Sequence, residues 1–349
     1  MKDPEANIVD ALVLPRLVRL EENLYGAAFV LMKLLPARFM LDRGADAGLI
    51  RAGGTVIETS SGTFALALAM LCRLRRYRLI LVSDPVLEPP LQRRLEELGA
   101  RVEIVRKPAE VGGHQGARLA RMAELQREHP GHFCPGQYDN PDNPRAYAPF
   151  AALLTESVGR VDCLVGSVGS GGSMCGTTTY LRELFPDMVA IGVDTHRSTL
   201  FGQPDGKRLL RGLGNSLMPR NVDHRVFDEI HWVGAAEGFA ATRALHAEHA
   251  LYMGPTSGAA YLVARWWARR HPDENVVFTL PDEGHRYQDQ VYDDAWLEAQ
   301  GVLARGVPDE PVRVNHPHDA THPWSQMLWS RKTYESVLGA PFVSPLGKP

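Results

Sequence analysis

The chain is short of cysteine, of lysine, of long apolar runs and of net charge, and each shortage removes a class of explanation. Only Cys72, Cys134, Cys163 and Cys175 occur in 349 residues, and no two of them form a CxxC pair. That spacing excludes a disulfide framework and a thiolate zinc site. Buried, reduced thiols in a cytoplasmic protein are the expectation. No apolar run approaches the roughly 18 residues that cross a bilayer. Residues 1–10 are acidic and lack the apolar core of a signal peptide, so secretion is not expected. The formal net charge of −3 recommends neither nucleic acid nor an anionic membrane as a partner. Histidines gather at 314–324 (VNHPHDATHPW), but their spacing fits no metal geometry, and no metal is expected.

What is present is alternation. Short β-branched runs at Thr55–Glu58, Arg78–Val82, Arg101–Val105, Asp162–Val165, Val189–Val193, Glu229–Val233 and Asn275–Leu280 read as strands. Helical stretches lie between them, at Thr63–Leu74, Pro90–Leu98, Gln115–His129, Cys175–Phe185, Ala236–His249 and Ser257–Arg270. Strand–helix alternation of this kind argues for an α/β fold with parallel sheets covered on both faces. The polar, proline-rich stretch 137–144 (QYDNPDNP) reads as a crossover, so two doubly wound lobes are expected. The smaller lobe spans 38–147, the larger takes 1–37 with 148–303, and 304–349 reads as an irregular extension.

Among six lysines, only Lys33 lies within a markedly apolar segment, Gly26 to Met40. An ammonium buried without a partner is costly, so such a lysine tends to be neutral or modified, and a neutral amine condenses with carbonyls. Taken alone, Lys33 reads better as a side chain that snorkels from a strand end to solvent. Gly169, Ser170, Gly171, Gly172 and Ser173 join a strand to a helix, where backbone N–H groups converge on an anion. That turn matches neither GxGxxG nor a P-loop, and a plain tight turn remains the alternative. Thr59-Ser60-Ser61-Gly62-Thr63 is a hydroxyl-rich strand–helix turn suited to a carboxylate or to an ordinary N-cap. Gly254-Pro-Thr-Ser-Gly258 is a third. Three such turns with one apolar-flanked lysine imply a crevice for a phosphorylated cofactor and a carboxylate substrate.

In this order the segments resemble the fold-type II pyridoxal-phosphate enzymes, cysteine synthase and its relatives in particular. Lys33 stands at the family's distance before Thr55-Val-Ile-Glu-Thr-Ser-Ser-Gly62, and Gln137–Pro144 resembles Q-F-x-N-P-x-N-P. Gly169–Ser173 stands for G-T-G-G-T, Leu210-Arg-Gly-Leu-Gly214 for I-x-G-I-G, Gly254–Gly258 for G-[IP]-[ST]-[ST]-G, and Pro281–Tyr287 for P-D-x-G-x-R-Y. The likeness runs from about Leu14 to Asp293. It differs at Thr63, where an asparagine is usual, at Tyr147, where a histidine is common, and in the apolar flanks of Lys33. Pro36-Ala37-Arg38 is similar to the P-A-K of the diaminopropionate-synthase branch.

The resemblance implies pyridoxal 5'-phosphate on Lys33, which also serves as the base for the substrate α-proton. It assigns the cofactor phosphate to Gly169–Ser173, the pyridine nitrogen to Thr256 and the ring hydroxyl to the position of Thr63. Ser60, Ser61, Gly62, Thr63, Gln137 and Gly212 are implied to bind an amino-acid substrate. The implied reaction is β-replacement on an O-activated serine through an aminoacrylate, in a homodimer. β-Elimination of the cysteine-desulfhydrase kind and 2,3-diaminopropionate-type synthesis stay open. So does a catalytically silent binding protein on the same fold.

Overall fold

The computed structural model describes residues 5–110, 113–304 and 306–342. Residue 305 and the last seven residues of the expected extension lie outside the described residues. The strands are, in chain order, β1 (Arg16–Glu21), β2 (Leu24–Ala28), β3 (Thr55–Thr59), β4 (Arg78–Ser83), β5 (Ala100–Ile104), β6 (Cys163–Ser167), β7 (Val189–Thr195), β8 (Glu229–Val233), β9 (Val276–Leu280), β10 (Val312–Arg313) and β11 (Trp324–Leu328). Each strand and helix anticipated above is present, its ends moved by at most three residues. The chain forms two compact units. One contains residues 5–13 with Leu31–Ala146, the other Leu14–Val30 with Tyr147–Phe342.

In the first unit β3, β4 and β5 pair in parallel, in that order. The period of two along each strand sorts its side chains between two faces. Val56, Leu79 and Leu81 join Leu34, Met40, Phe64, Leu68 and Leu95 in the main core. Ile57, Ile80 and Val82 pack with Leu125, on the helix Gly113–Glu128, in a second cluster. A sheet buried on both faces explains why β3 has no exposed position.

The second unit holds an eight-stranded sheet of order β1-β2-β9-β6-β7-β8-β11-β10. From β2 to β8 all pairings are parallel, while β1 is antiparallel to β2 and β11 to β8. Both units are therefore α/β, as expected. Parallel strands deliver their C-terminal ends and the following helix N-termini to one edge, where ligands of open α/β sheets bind.

Two features differ from the sequence reading. The segment around Lys33 is split: β2 ends at Ala28, and a helix begins at Leu34 with Pro36 in its first turn, where the missing N–H costs nothing. Leu34, Met40 and Leu41 carry that helix into the core of the first unit and Val9 joins them, so 5–13 and 31–37 group there rather than with the larger lobe. The tail is also more ordered than the irregular extension anticipated. β11 extends the large sheet by pairing with β8, and side chains lock the register. The Trp324 indole N–H donates to His231 Nδ1 at 3.0 Å, and Gln326 donates to Glu229 Oε2 at 2.7 Å. An indole is only a donor, so His231 Nδ1 is unprotonated and Nε2 carries the hydrogen. Burial of His231 holds its pKa below the usual histidine value, consistent with a neutral ring.

Trp324 is 1% exposed, so removing its side chain should cost as much as a core truncation. Trp324→Ala is expected to destabilise the second unit by about 3–5 kcal/mol, read as a lower urea midpoint. A change within experimental scatter would mean that the tail is a surface appendage.

Candidate active site

The residues singled out from the sequence fall into two sets, one in each unit. In the first unit Lys33 stands at the N-cap of the helix Leu34–Asp46 and is half-buried. Burial of its amine lowers the pKa from 10.5 to about 8. A substantial fraction is then neutral near physiological pH, the form that attacks a carbonyl.

The turn after β3 is organised by a carboxylate within the strand. Glu58, 2% exposed, accepts the N–H of Thr59 at 2.8 Å through Oε1 and that of Gly136 at 2.8 Å through Oε2. The backbone N–H of Gln137 also bonds to it. One side chain thus fixes Ser60–Thr63 relative to Gln137. Ser60 and Gln137 are buried, Ser61, Gly62 and Thr63 half-buried. Gly62 caps the helix Thr63–Arg75 and offers no side-chain acceptor, which leaves first-turn donors for an anion. Asn143, fully buried, donates to the Gln137 carbonyl and stiffens the second loop.

In the second unit the loop after β6 brings Gly169–Ser173 to the start of the helix Gly172–Leu184. Gly171 has φ +85°, and a Cβ there would lie 2.5 Å from the Asn221 carbonyl oxygen, so only glycine fits. Ser170 and Ser173 are buried, and no acidic side chain occurs between Asp162 and Glu183. Gly212, at φ +91°, packs on Thr256, whose Cγ2 would lie 2.7 Å from an added Cβ. Ser167 donates its hydroxyl to the Thr256 carbonyl at 2.9 Å. Gly169, Gly212 and Thr256 are therefore one packed assembly. Tyr147, fully buried, has a phenol that burial pushes well above its ordinary range.

The sequence profile described as "Pyridoxal-phosphate dependent enzyme" matches residues 26–282. The chain belongs to that family. A relative from Cupriavidus metallidurans, N-(2-amino-2-carboxyethyl)-L-glutamate synthase, is 34% identical over 78% of this chain and 82% of its own. The protein of the same name from Ralstonia nicotianae is 32% identical over 81% of this chain and 88% of its own. Among solved structures, the O-acetylserine dependent cystathionine beta-synthase from Helicobacter pylori is similar with a TM-score of 0.75. It is 26% identical and aligns over 83% of this chain and 99% of its own.

The residues of this pyridoxal-phosphate enzyme suit the cofactor. A dianionic phosphate needs converging donors, and the glycine-bottomed loop with its two hydroxyls, in a run of chain that carries no carboxylate, suits it. An aldehyde needs an amine that can shed its proton, and Lys33 is one.

Reading the sequence missed Glu58 as a site residue, though it lay inside a quoted motif. The signal was a carboxylate in the otherwise uncharged run Thr55–Thr59, and the same signal marks Asp194 at the end of β7.

Burial raises the Glu58 pKa from 4.5 to about 7, against the pull of three backbone N–H groups. A raised folded pKa contributes stability that is full below the unfolded value and lost as pH rises through the folded one. The stability of the wild type relative to Glu58→Gln should therefore fall by about 3 kcal/mol between pH 4.5 and 7. Denaturation midpoints of the two proteins across that window measure it, and a flat difference would refute the assignment.

Proposed function

We propose that this enzyme replaces the β-substituent of an O-activated serine with the amino group of a second amino acid. The bond from the β-carbon to the leaving oxygen breaks and a carbon–nitrogen bond forms. The proton lost by the amine departs with the leaving group. The observation that carries this reading is the name shared by the two relatives, since a 2-amino-2-carboxyethyl group is the serine skeleton joined through its β-carbon to the nitrogen of glutamate. Pro36-Ala37-Arg38, similar to the diaminopropionate-synthase segment, supports the same kind of nucleophile.

Pyridoxal phosphate, when bound, supplies the electron withdrawal that acidifies the substrate α-carbon. Lys33 would hold its aldehyde and would serve as the base for the α-proton, roles that a pKa of about 8 suits. Gly169, Ser170, Gly171, Gly172 and Ser173 bind the phosphate. Thr256 offers the ring nitrogen a neutral hydroxyl, which does not keep that nitrogen protonated and so favours loss of a β-leaving group over transamination. Ser60, Ser61, Gly62, Thr63 and Gln137 hold the substrate carboxylate, with Thr63 also toward the ring hydroxyl. Gly212 lines the substrate side of the loop. We place the enzyme in the cytoplasm as a homodimer, supported by four free cysteines and by its family.

Incubation with O-phosphoserine or O-acetylserine and glutamate, followed by mass spectrometry, is expected to yield the secondary amine joining the two skeletons. Lys33→Ala should lower its formation by roughly 10²–10⁴-fold. Pyruvate and ammonia alone would make the enzyme a lyase, and cysteine formed preferentially from sulfide would make it a sulfhydrylase.

A further inference from the structure

The second unit buries a carboxylate that no step above uses. Asp194 has no exposed surface, although the strand leading to it, Val-Ala-Ile-Gly-Val, is apolar. Its Oδ1 accepts the Thr195 N–H at 2.8 Å, and Ser198 donates its hydroxyl to the carboxylate. Oδ2 has no partner among the described residues. Burial lifts the group to about 7, against Thr195, Ser198 and the charge of Arg208. A buried acid with an unused oxygen costs stability, so its presence calls for an explanation in what it holds.

What it holds is the loop that runs from Leu210 to Ser216. Ser198, fully buried, accepts the Asn215 N–H at 3.1 Å on the same oxygen that donates to Asp194. Thr199 grips the Asn215 carbonyl with its N–H at 2.9 Å and its hydroxyl at 3.1 Å. Gly214, at φ +72°, leaves no room for a side chain above this pair. A Cβ there would lie 3.0 Å from Ser198 Cβ and 3.1 Å from Asp194 Oδ1. The other side of the loop meets the cofactor elements. The Gly214 N–H donates to the Val168 carbonyl at 2.8 Å, and the Gly212 carbonyl oxygen would lie 3.2 Å from a Cβ on Gly169. Gly212 itself rests on Thr256. The loop is a layer one glycine backbone thick, with Asp194 and Ser198 beneath it and Gly169 and Thr256 above.

We propose that Asp194 and Ser198 are positioning residues of the cofactor half-site, setting through Asn215 the height of the Gly212–Gly214 backbone against Gly169 and Thr256. This rests on the pyridoxal-phosphate reading of that site and adds two residues that lie outside all of its motifs. A shift of the loop would move Gly169 and Thr256 together, and displacements of about 1 Å at a reacting centre are costly to rate.

The full-length protein provides the test, with and without cofactor. In the cofactor-free form, hydrogen exchange of residues 210–217 should accelerate about tenfold or more in Asp194→Ala and Ser198→Ala, with β9 unchanged. In the holoenzyme the same variants should shift the visible cofactor band and lower kcat about ten- to a hundredfold, with KM for the serine donor nearly constant. Because both act through one relay, the double variant should be no worse than the poorer single. Unchanged exchange, or a lower Tm with band and kcat intact, would overturn the proposal, as would losses that multiply in the double variant. If Asp194→Ala does not fold, Asp194→Asn and Ser198→Ala make the same comparison. A wild type without a cofactor band would remove the cofactor reading itself, which separates the two failures.

Discussion

The structure depends on the backbone N–H groups left over where a parallel strand turns into a helix. Every such helix begins with donors that have no partner in the preceding turn. Other helices of the chain satisfy such donors with side chains: Asn7, Asp293 and Thr333 accept first-turn N–H groups, and Glu237 turns back to bond its own backbone N–H at the start of the helix Ala235–His249. The helices that start at Thr63, Gly172 and Pro255 do otherwise. Each follows a glycine, Gly62, Gly171 or Gly254, which has no side chain to offer. No side chain caps those ends, and an amino-acid substrate and a phosphorylated cofactor supply anionic groups that suit uncapped helix starts.

Leaving donors open requires something else to hold the loops. In each unit that task falls to a buried carboxylate at the end of an apolar strand. Glu58 and Asp194 both accept the N–H of the residue that follows, Thr59 and Thr195, and both reach a neighbouring loop, Glu58 through Gly136 and Asp194 through Ser198. Both have pKa values raised to about 7 by burial. The cost of burying them is offset by order in loops that lack regular secondary structure.

Much of this was legible in the sequence because it is local. Buried parallel strands read as apolar runs, so β3, β4 and β6 to β9 stood out, and glycine at a turn announces a backbone that a Cβ would obstruct, as Gly171 and Gly212 do. Contacts between distant residues were not legible. The pairing of β11 with β8 joins residues more than ninety positions apart, and nothing in WSQML names Glu229–Val233 as its partner. The hairpin of β1 and β2 was missed because β1 is an edge strand with no buried position, so its pattern lacks the apolar run that marks a core strand. The helix after Lys33 was hidden by an apolar segment too uniform to reveal where strand ends and helix begins.

The central claim is that Lys33, alone among the lysines, is the amine that carries pyridoxal phosphate. Borohydride reduction of the purified protein followed by peptide mass mapping tests it most directly. The account predicts a stable pyridoxyl adduct on the peptide containing Lys33 and none on those containing Lys107, Lys207 or Lys332. An adduct on another lysine, or none after saturation with the cofactor, would contradict it.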